Sequence, residues 1–118
     1  MDEWGIEFSD EFDVEFEQLS EDVKCSLIQH VNLLKIYGPQ LSRPYADTLN
    51  GSIYPNMKEL RFNADDGVWR VAFAFDPQRQ AIILVAGDKA GENQRKFYKQ
   101  LIDSADRRYT AHLDKLKE

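Results

Sequence analysis

Cysteine occurs once in the 118 residues, at Cys25. A single thiol excludes an internal disulfide framework and a multi-cysteine zinc cluster, and it fits a reducing compartment. Histidine occurs only at His30 and His112. The two are far apart, no HxxxH or DxD pattern accompanies them, and a metal site has no ligand set to draw on. Walker-type and GxGxxG loops are missing, as are the elbows that present a nucleophilic serine or cysteine. No cofactor is therefore expected. No apolar run approaches the roughly 20 residues of a membrane-spanning helix. The opening MDEWGIEFSDEF is acidic and interrupted by charge, which is not how a secretory leader reads. What is present is an ordinary globular composition, 42% apolar and 31% charged. The length holds one compact domain and leaves no room for two. The expectation is a soluble, cytoplasmic, single-domain protein without a membrane partner.

Basic residues are scarce in the first half. Residues 1–50 carry three (Lys24, Lys35, Arg43) against eleven acidic ones, a balance of 3 − 11 = −8. Residues 51–118 carry twelve against ten, a balance of +2. The net charge of −6 argues against a nucleic-acid partner until this split is noticed, since phosphate binding needs Lys and Arg. A bipolar chain of this kind can carry a basic working face and an acidic back. Most of the acidity lies between Asp2 and Asp22.

Trp4, Ile6 and Phe8 alternate with Gly5 and Glu7, the period of a short strand. Ser9 or Asp10 can cap a helix carrying Phe12, Phe16 and Leu19. Ser20 reads as a second N-cap, with Glu21 and Asp22 in the first turn, where the helix dipole favours them. Val23, Leu27, Val31 and Leu34 follow at helical spacing until Gly38-Pro39 stops the helix. Two helices with almost no loop between them predict a helical hairpin. Residues 39–56 read as an irregular connection. The period then changes to two. Met57–Asn63, Val68–Phe75 and Gln80–Ala86 are predicted strands, joined by turns at Asp65-Asp66-Gly67 and Asp76-Pro77-Gln78. Trp69, Val71, Phe73 and Phe75 share a face that must meet helices. Val68, Arg70, Ala72 and Ala74 share the other, where small residues around an arginine predict a shallow open concavity. Gln80–Ala86 is apolar throughout and should be a central strand buried on both faces. Asn93–Lys117 is a long helix striped by Phe97, Leu101, Ala105, Tyr109 and Leu113. The order is β-α-α-β-β-β-α.

Lys58-Glu59-Leu60-Arg61, Trp69 to Asp76 (WRVAFAFD), Gly87-Asp88-Lys89 and Phe97-Tyr98 resemble the RelE/ParE toxin superfamily. Within it they resemble the phage-derived, HigB-like branch of bacterial type II toxin–antitoxin systems. Arg43-Pro44, Asp47-Thr48-Leu49 and Gly51-Ser52 upstream look like the segment leading into the ELR strand of that branch. Ala105-Asp106, Tyr109 and His112-Leu113 look like its tail. The resemblance runs from about Ser9 to Leu116. It implies one RelE/HigB-like toxin domain over residues 1–118, of the α+β class: a small, mostly antiparallel sheet with an N-terminal helical hairpin and a C-terminal helix. It also implies a ribosome-dependent mRNA endonuclease that inhibits translation, and a partner antitoxin that often carries a helix-turn-helix DNA-binding domain. With such a partner the chain would form a hetero-oligomer.

RNA cleavage without a metal uses the 2′-hydroxyl as nucleophile on the adjacent phosphate. It needs a proton acceptor, a proton donor for the leaving 5′-oxygen, and cations for the phosphorane. With no pair of histidines to hand, the work falls to Arg, Lys and Tyr. Arg61 and Arg70 emerge on one face if the two strands that carry them pair as a hairpin, and their guanidinium forks suit phosphate. The same arginines can instead pair with Glu59, Asp65 or Asp88 and only solvate the sheet. Lys89 stands where RelE-like enzymes often carry an arginine. It can clamp phosphate, or donate a proton if neighbouring cations lower its pKa, an effect Asp88 beside it would oppose. Tyr98 matches the family's late tyrosine and can hydrogen-bond or stack on a base. Lys58, Arg95, Lys96 and Lys99 are candidate RNA-backbone contacts. Cys25 reads as a partly buried small hydrophobe, His30 as a residue of the solvated side of its helix, and His112 as a surface or partner contact. Trp4 and Trp69 read as core.

Two other functions stay open on the sequence. One is a ParE-like inhibitor that shares the fold, binds DNA gyrase and catalyses nothing; an arginine-lined face speaks for the nuclease instead. The other is a phage-derived interaction module that has lost activity.

Overall fold

The computed structural model describes residues 3–118; Met1 and Asp2, the latter the first residue of the acidic stretch, lie outside it. The chain runs through β1 (Gly5–Phe8), α1 (Asp10–Phe16), α2 (Glu21–Tyr37) and a 3-10 turn (Gly38–Gln40). It continues through β2 (Ala46–Thr48), β3 (Lys58–Ala64), β4 (Gly67–Phe75), β5 (Gln80–Asp88) and α3 (Gln94–Leu116). The helices begin where side-chain oxygens can satisfy free amides. Ser9 accepts from the Phe12 N–H, Ser20 from that of Val23 and Asn93 from that of Lys96. α2 ends at Gly38, whose positive φ of 56° and close contact with the Trp4 indole leave no room for a side chain.

The five strands form one sheet in the order β1-β5-β4-β3-β2. Only β1 runs parallel to its neighbour; the other pairs are antiparallel. The β3–β4 hairpin closes on Asp65 and Asp66, both at positive φ, the geometry of a two-residue turn whose twist matches the strands. β2 is a three-residue edge strand inside the segment expected to be irregular. Its pattern is too short to register as a period.

Helices cover both faces. On one side Phe12, Leu27 and Leu34 of α1 and α2 pack with Leu60, Val71, Phe73 and Ile83 of the sheet. On the other, Phe97, Leu101, Ala105 and Tyr109 of α3 pack with Ala72, Ala74, Ile82 and Leu84. β5 is thus apolar on both faces, as its composition requires. The second layer corrects one expectation. Ala72 and Ala74 are fully buried and do not floor an open concavity. They are small because a helix lies on them. The approach is close enough that a Cβ at Gly87 would meet the Phe97 ring at 2.9 Å.

Other expectations are corrected at single residues. His112 is not at the surface: it is buried, with Nε2 2.9 Å from Asp76 Oδ2. Asp76 in turn accepts from the N–H groups of Gln78 and Gln80, so the end of α3 is fastened to the β4–β5 turn. His30 leans on Phe62, ring centroids 5.0 Å apart, and is half-buried. Cys25 is exposed. Trp4 packs edge-on against Phe75 under the Arg79 guanidinium.

Candidate active site

The uncovered part of the α3 face is the end near β2, β3 and the start of α3. There an open groove of about 500 Å³ is lined by Arg43 and Asp47 before and within β2, Glu59 and Arg61 of β3, Lys89, Arg95 and Tyr98. A shallower depression of about 330 Å³ adjoins it, shares Arg43 and Arg61, and reaches Arg70.

Strand parity and register build the centre. Glu59 and Arg61 lie two residues apart on β3, and Arg61 stands directly opposite Arg70 of β4. Like charges placed opposite each other on adjacent strands repel, and here a carboxylate answers them. Arg61 Nη1 donates to Glu59 Oε2 at 2.8 Å, and Arg70 Nε is 4.0 Å from Glu59 Oε1. Glu59 is only 4% exposed and Arg70 6%. Arg70 also donates to the Trp69 carbonyl at 2.9 Å and to the Tyr98 hydroxyl at 3.2 Å. Arg61 is more open, and one side of its fork faces the groove.

Lys89 immediately follows β5. Its ammonium lies 3.4 Å from Gln94 Oε1 and 5.7 Å from the centre of the Tyr98 ring. Partial burial, and then the charges of Arg70 and Arg61, hold its pKa below the usual lysine value. Asp88 does not oppose this, because its carboxylate is turned away to the N–H groups of Val68 and Ala90. Burial, followed by the nearby charge of Glu59, pushes the Tyr98 phenol up. Tyr98 therefore keeps its proton at neutral pH and acts as a hydroxyl. On the rim, Arg43 binds Asp47 at 2.8 Å and holds its carboxyl below the ordinary range.

Arg61, Arg70, Lys89 and Tyr98 thus come together, and Arg95 lines the groove beside them. Lys96 is exposed farther along α3, and Lys99 is exposed and paired with Asp103 at 3.1 Å. Lys58 shares the parity of Leu60 and Phe62, whose face meets α1 and α2, and it does not line the groove. Sequence reasoning missed Glu59 as part of the site, naming it only with Asp65 and Asp88 as a carboxylate with which the arginines can pair. No signal in β3 gives it away: the burial of Glu59 comes from α3, which packs on Ala72 opposite it. Arg43 and Asp47 were also missed, since the three-residue strand that brings them to the rim has no readable pattern. Among the described residues no three His, Cys, Asp or Glu side chains gather where they could hold a metal ion. The groove offers chemistry of another kind: fixed guanidiniums, an ammonium with a lowered pKa, a protonated phenol and one buried carboxylate.

A mixed five-stranded sheet with a helix on one face and two on the other is the architecture of RelE. The chain superposes on a free-state mutant of the E. coli toxin RelE with a TM-score of 0.61, covering 85% of this chain and 94% of that one. At 11% identity that likeness concerns the fold alone. Residues 14–110 match the family of phage-derived, Gp49-like proteins. Two proteins of Mycobacterium tuberculosis (strain ATCC 25618 / H37Rv) are similar in sequence. "Putative toxin HigB3" is 46% identical over 93 residues, which are 79% of each chain. "Putative toxin HigB2" is 42% identical over 89 residues, and the match spans 75% of this chain but 44% of that longer relative. The chain belongs to the phage-derived Gp49-like family.

Proposed function

We propose that this protein is the toxin of a type II toxin–antitoxin system and cleaves mRNA on the translating ribosome without a metal ion. The observation that carries the reading is the convergence of Arg61, Arg70 and Lys89 with Tyr98 at one groove. The toxin names of the two similar proteins support it. In this reaction the 2′-oxygen of one nucleotide attacks the adjacent phosphorus and the bond to the 5′-oxygen breaks. A 2′,3′-cyclic phosphate and a 5′-hydroxyl result. Arg61 and Arg70 stabilise the charge on the non-bridging oxygens through preorganised N–H donors. Lys89, its pKa lowered by burial and by those guanidiniums, gives a proton to the leaving 5′-oxygen. Arg95, and Lys96 beyond it, hold the RNA backbone without regard to sequence. Lys99 adds less because Asp103 already engages it. Lys58 has no part, since it does not line the groove.

The reaction belongs in the cytoplasm, where translated messages are. A helix-turn-helix antitoxin silences it by forming a hetero-oligomer that blocks the groove or its approach to the ribosome. Expression of the chain alone should stop growth, with pulse-labelled protein synthesis failing before DNA synthesis. Should DNA synthesis fail first, with gyrase-dependent breaks, the protein is a ParE-like gyrase inhibitor and the nuclease reading is wrong. A chain that is expressed and folded but leaves growth untouched is an interaction module without activity.

A further inference from the structure

Glu59 carries a contradiction that the ion pairs do not remove. Its Oε2 is bonded to Arg61, while its Oε1 is buried and has no hydrogen-bond donor among the described residues. An unpaired charged oxygen away from water is costly, so a group that later meets it gains a strong interaction. Oε1 lies 4.0 Å from Arg70 Nε, and the same Nε donates to the Tyr98 hydroxyl at 3.2 Å. Tyr98 and Glu59 Oε1 therefore flank one N–H. Having accepted from Arg70, the Tyr98 oxygen has its own proton free to donate, and Glu59 lies near enough to raise the phenol's pKa. Tyr98 is partly exposed and lines the groove; Glu59 lies beneath.

We propose that Glu59 receives the 2′-hydroxyl proton during cleavage, with the Tyr98 hydroxyl as the bridge to it. This rests on the nuclease reading and names its missing proton acceptor. In one concerted step the 2′-hydroxyl passes its proton to the Tyr98 oxygen as Tyr98 passes its own to Glu59 Oε1. The 2′-oxygen forms its bond to phosphorus, the bond from phosphorus to the 5′-oxygen breaks, and that oxygen takes a proton from Lys89. One proton has moved from the 2′-hydroxyl to Glu59 and one from Lys89 to the leaving group. Glu59 then returns its proton through water to Lys89, and Tyr98 ends as it began. Glu59 acts through Tyr98 and never touches the RNA. Around it stand Arg61 on its own strand, Arg70 on β4, Asp47 opposite it on β2 with Arg43 beyond, Tyr98 on α3, and Lys89.

The test is single-turnover cleavage of a message on programmed ribosomes by the wild-type chain, Glu59→Gln, Tyr98→Phe and the double variant at neutral pH. Gln keeps an oxygen for Arg61 but cannot take up the proton. Each single variant should cut the cleavage rate constant by ~10²–10⁴-fold, and the double variant no further, because the two act as one relay. Ribosome affinity should stay at the wild-type value, while Glu59→Gln should melt earlier because Arg61 and Arg70 lose the charge between them. Glu59→Asp, which keeps a carboxylate on a shorter stem, should recover part of the rate that Glu59→Gln loses. A Glu59→Gln protein that cleaves at the wild-type rate overturns the proposal, and so does a folded Glu59→Asp no faster than Glu59→Gln. If Glu59→Gln is unfolded in the assay, folded Tyr98→Phe decides: a wild-type rate there overturns it and a loss in the stated range supports it. A folded wild-type chain that cleaves no message refutes the nuclease reading itself, and the relay with it.

Discussion

Arg61 and Arg70 face each other across one hairpin, yet their surroundings give them different duties. Arg70 is nearly sealed, with Nε given to the Tyr98 hydroxyl and Nη1 to the Trp69 carbonyl, so that Nη2 is left for a phosphate in the depression it lines. Arg61 has one partner and an open side. Strand alternation puts both on the face away from Trp69 and Leu60, and on that ground either could be truncated without harm to the fold. The structure separates them, because α3 closes over Arg70 and Glu59, and no property of β3 or β4 alone announces a helix arriving from the far end of the chain. Removing Arg70 leaves the buried Glu59 with a single partner and the Trp69 carbonyl with one donor fewer. Arg70→Ala should therefore lose about 2–3 kcal/mol of stability, toward the lower end for breaking a buried pair because Arg61 remains. Arg61→Ala should lose about 1–2 kcal/mol, because Glu59 Oε2 then has no hydrogen bond while Arg61 itself was partly solvated. Both should lose roughly 10²–10³ in cleavage rate, the usual cost of one transition-state donor. Urea melts beside cleavage assays separate the two effects. Equal and unperturbed melts would show that Arg70 is not the buried anchor described.

Elements were more legible than the contacts between them. Caps and stops give the helices: Ser9, Ser20 and Gly38-Pro39 fall where α1 and α2 begin and end. Alternation gives β3 and β4, and β-branched apolar density gives β5. The three residues of β2 are too few for any period, and nothing local to α1 says that its acid is neutralised within the molecule. β1 ends at Phe8, opposite Ile83, so the edge of β5 beyond that point has no strand beside it. The chain covers it with side chains. Ser9 reaches the Leu84 carbonyl at 3.4 Å, and Arg108 of α3 reaches the same carbonyl at 2.7 Å. Arg108 also grips Glu15 through both carboxylate oxygens and lies 2.9 Å from Glu11, bonds that push its pKa up. One arginine thus fastens α3, α1 and a bare strand edge. Arg108→Ala should cost about 2 kcal/mol, because a carbonyl at the edge loses its charged donor while the two glutamates, partly solvated, recover water. For a chain of this size that is a fall of about 8 °C in melting temperature. Arg108→Lys keeps the charge without the fork and should recover less than half. A wild-type melt for Arg108→Ala would mean that the edge is closed by the backbone alone.

At the scale of the whole molecule, the acidic half is not the free back that its composition suggests. Asp10 pairs with Lys115, Glu11 with Arg107 and Glu15 with Arg108, so much of the excess negative charge of α1 is met by the basic end of α3. Glu15 is therefore a poor site for charge reversal aimed at a partner, since the change would loosen the fold first. What remains is a body of net charge −6 with a small cationic groove at the opposite end of α3, around Arg61, Lys89 and Arg95. The field of that groove reaches about 10 Å at moderate salt, while the body repels phosphate over the longer distances that open at low salt. On the proposed nuclease function, such a protein would attract free RNA weakly and gain most when the ribosome presents the strand at the groove. Binding of a short single-stranded RNA to the isolated chain should fall with salt on a log–log slope of about −2, the value for three phosphates neutralised by those side chains. Lys89→Met should bring the slope to roughly −1.4, whereas reversing a charge on the α1 side should leave it unchanged. The measurement is a fluorescence titration of labelled oligonucleotide over a range of salt. A slope of about −4 or steeper would place further phosphate contacts on α3 outside the groove, and the division of this molecule into a neutralised body and one working cleft would then be wrong.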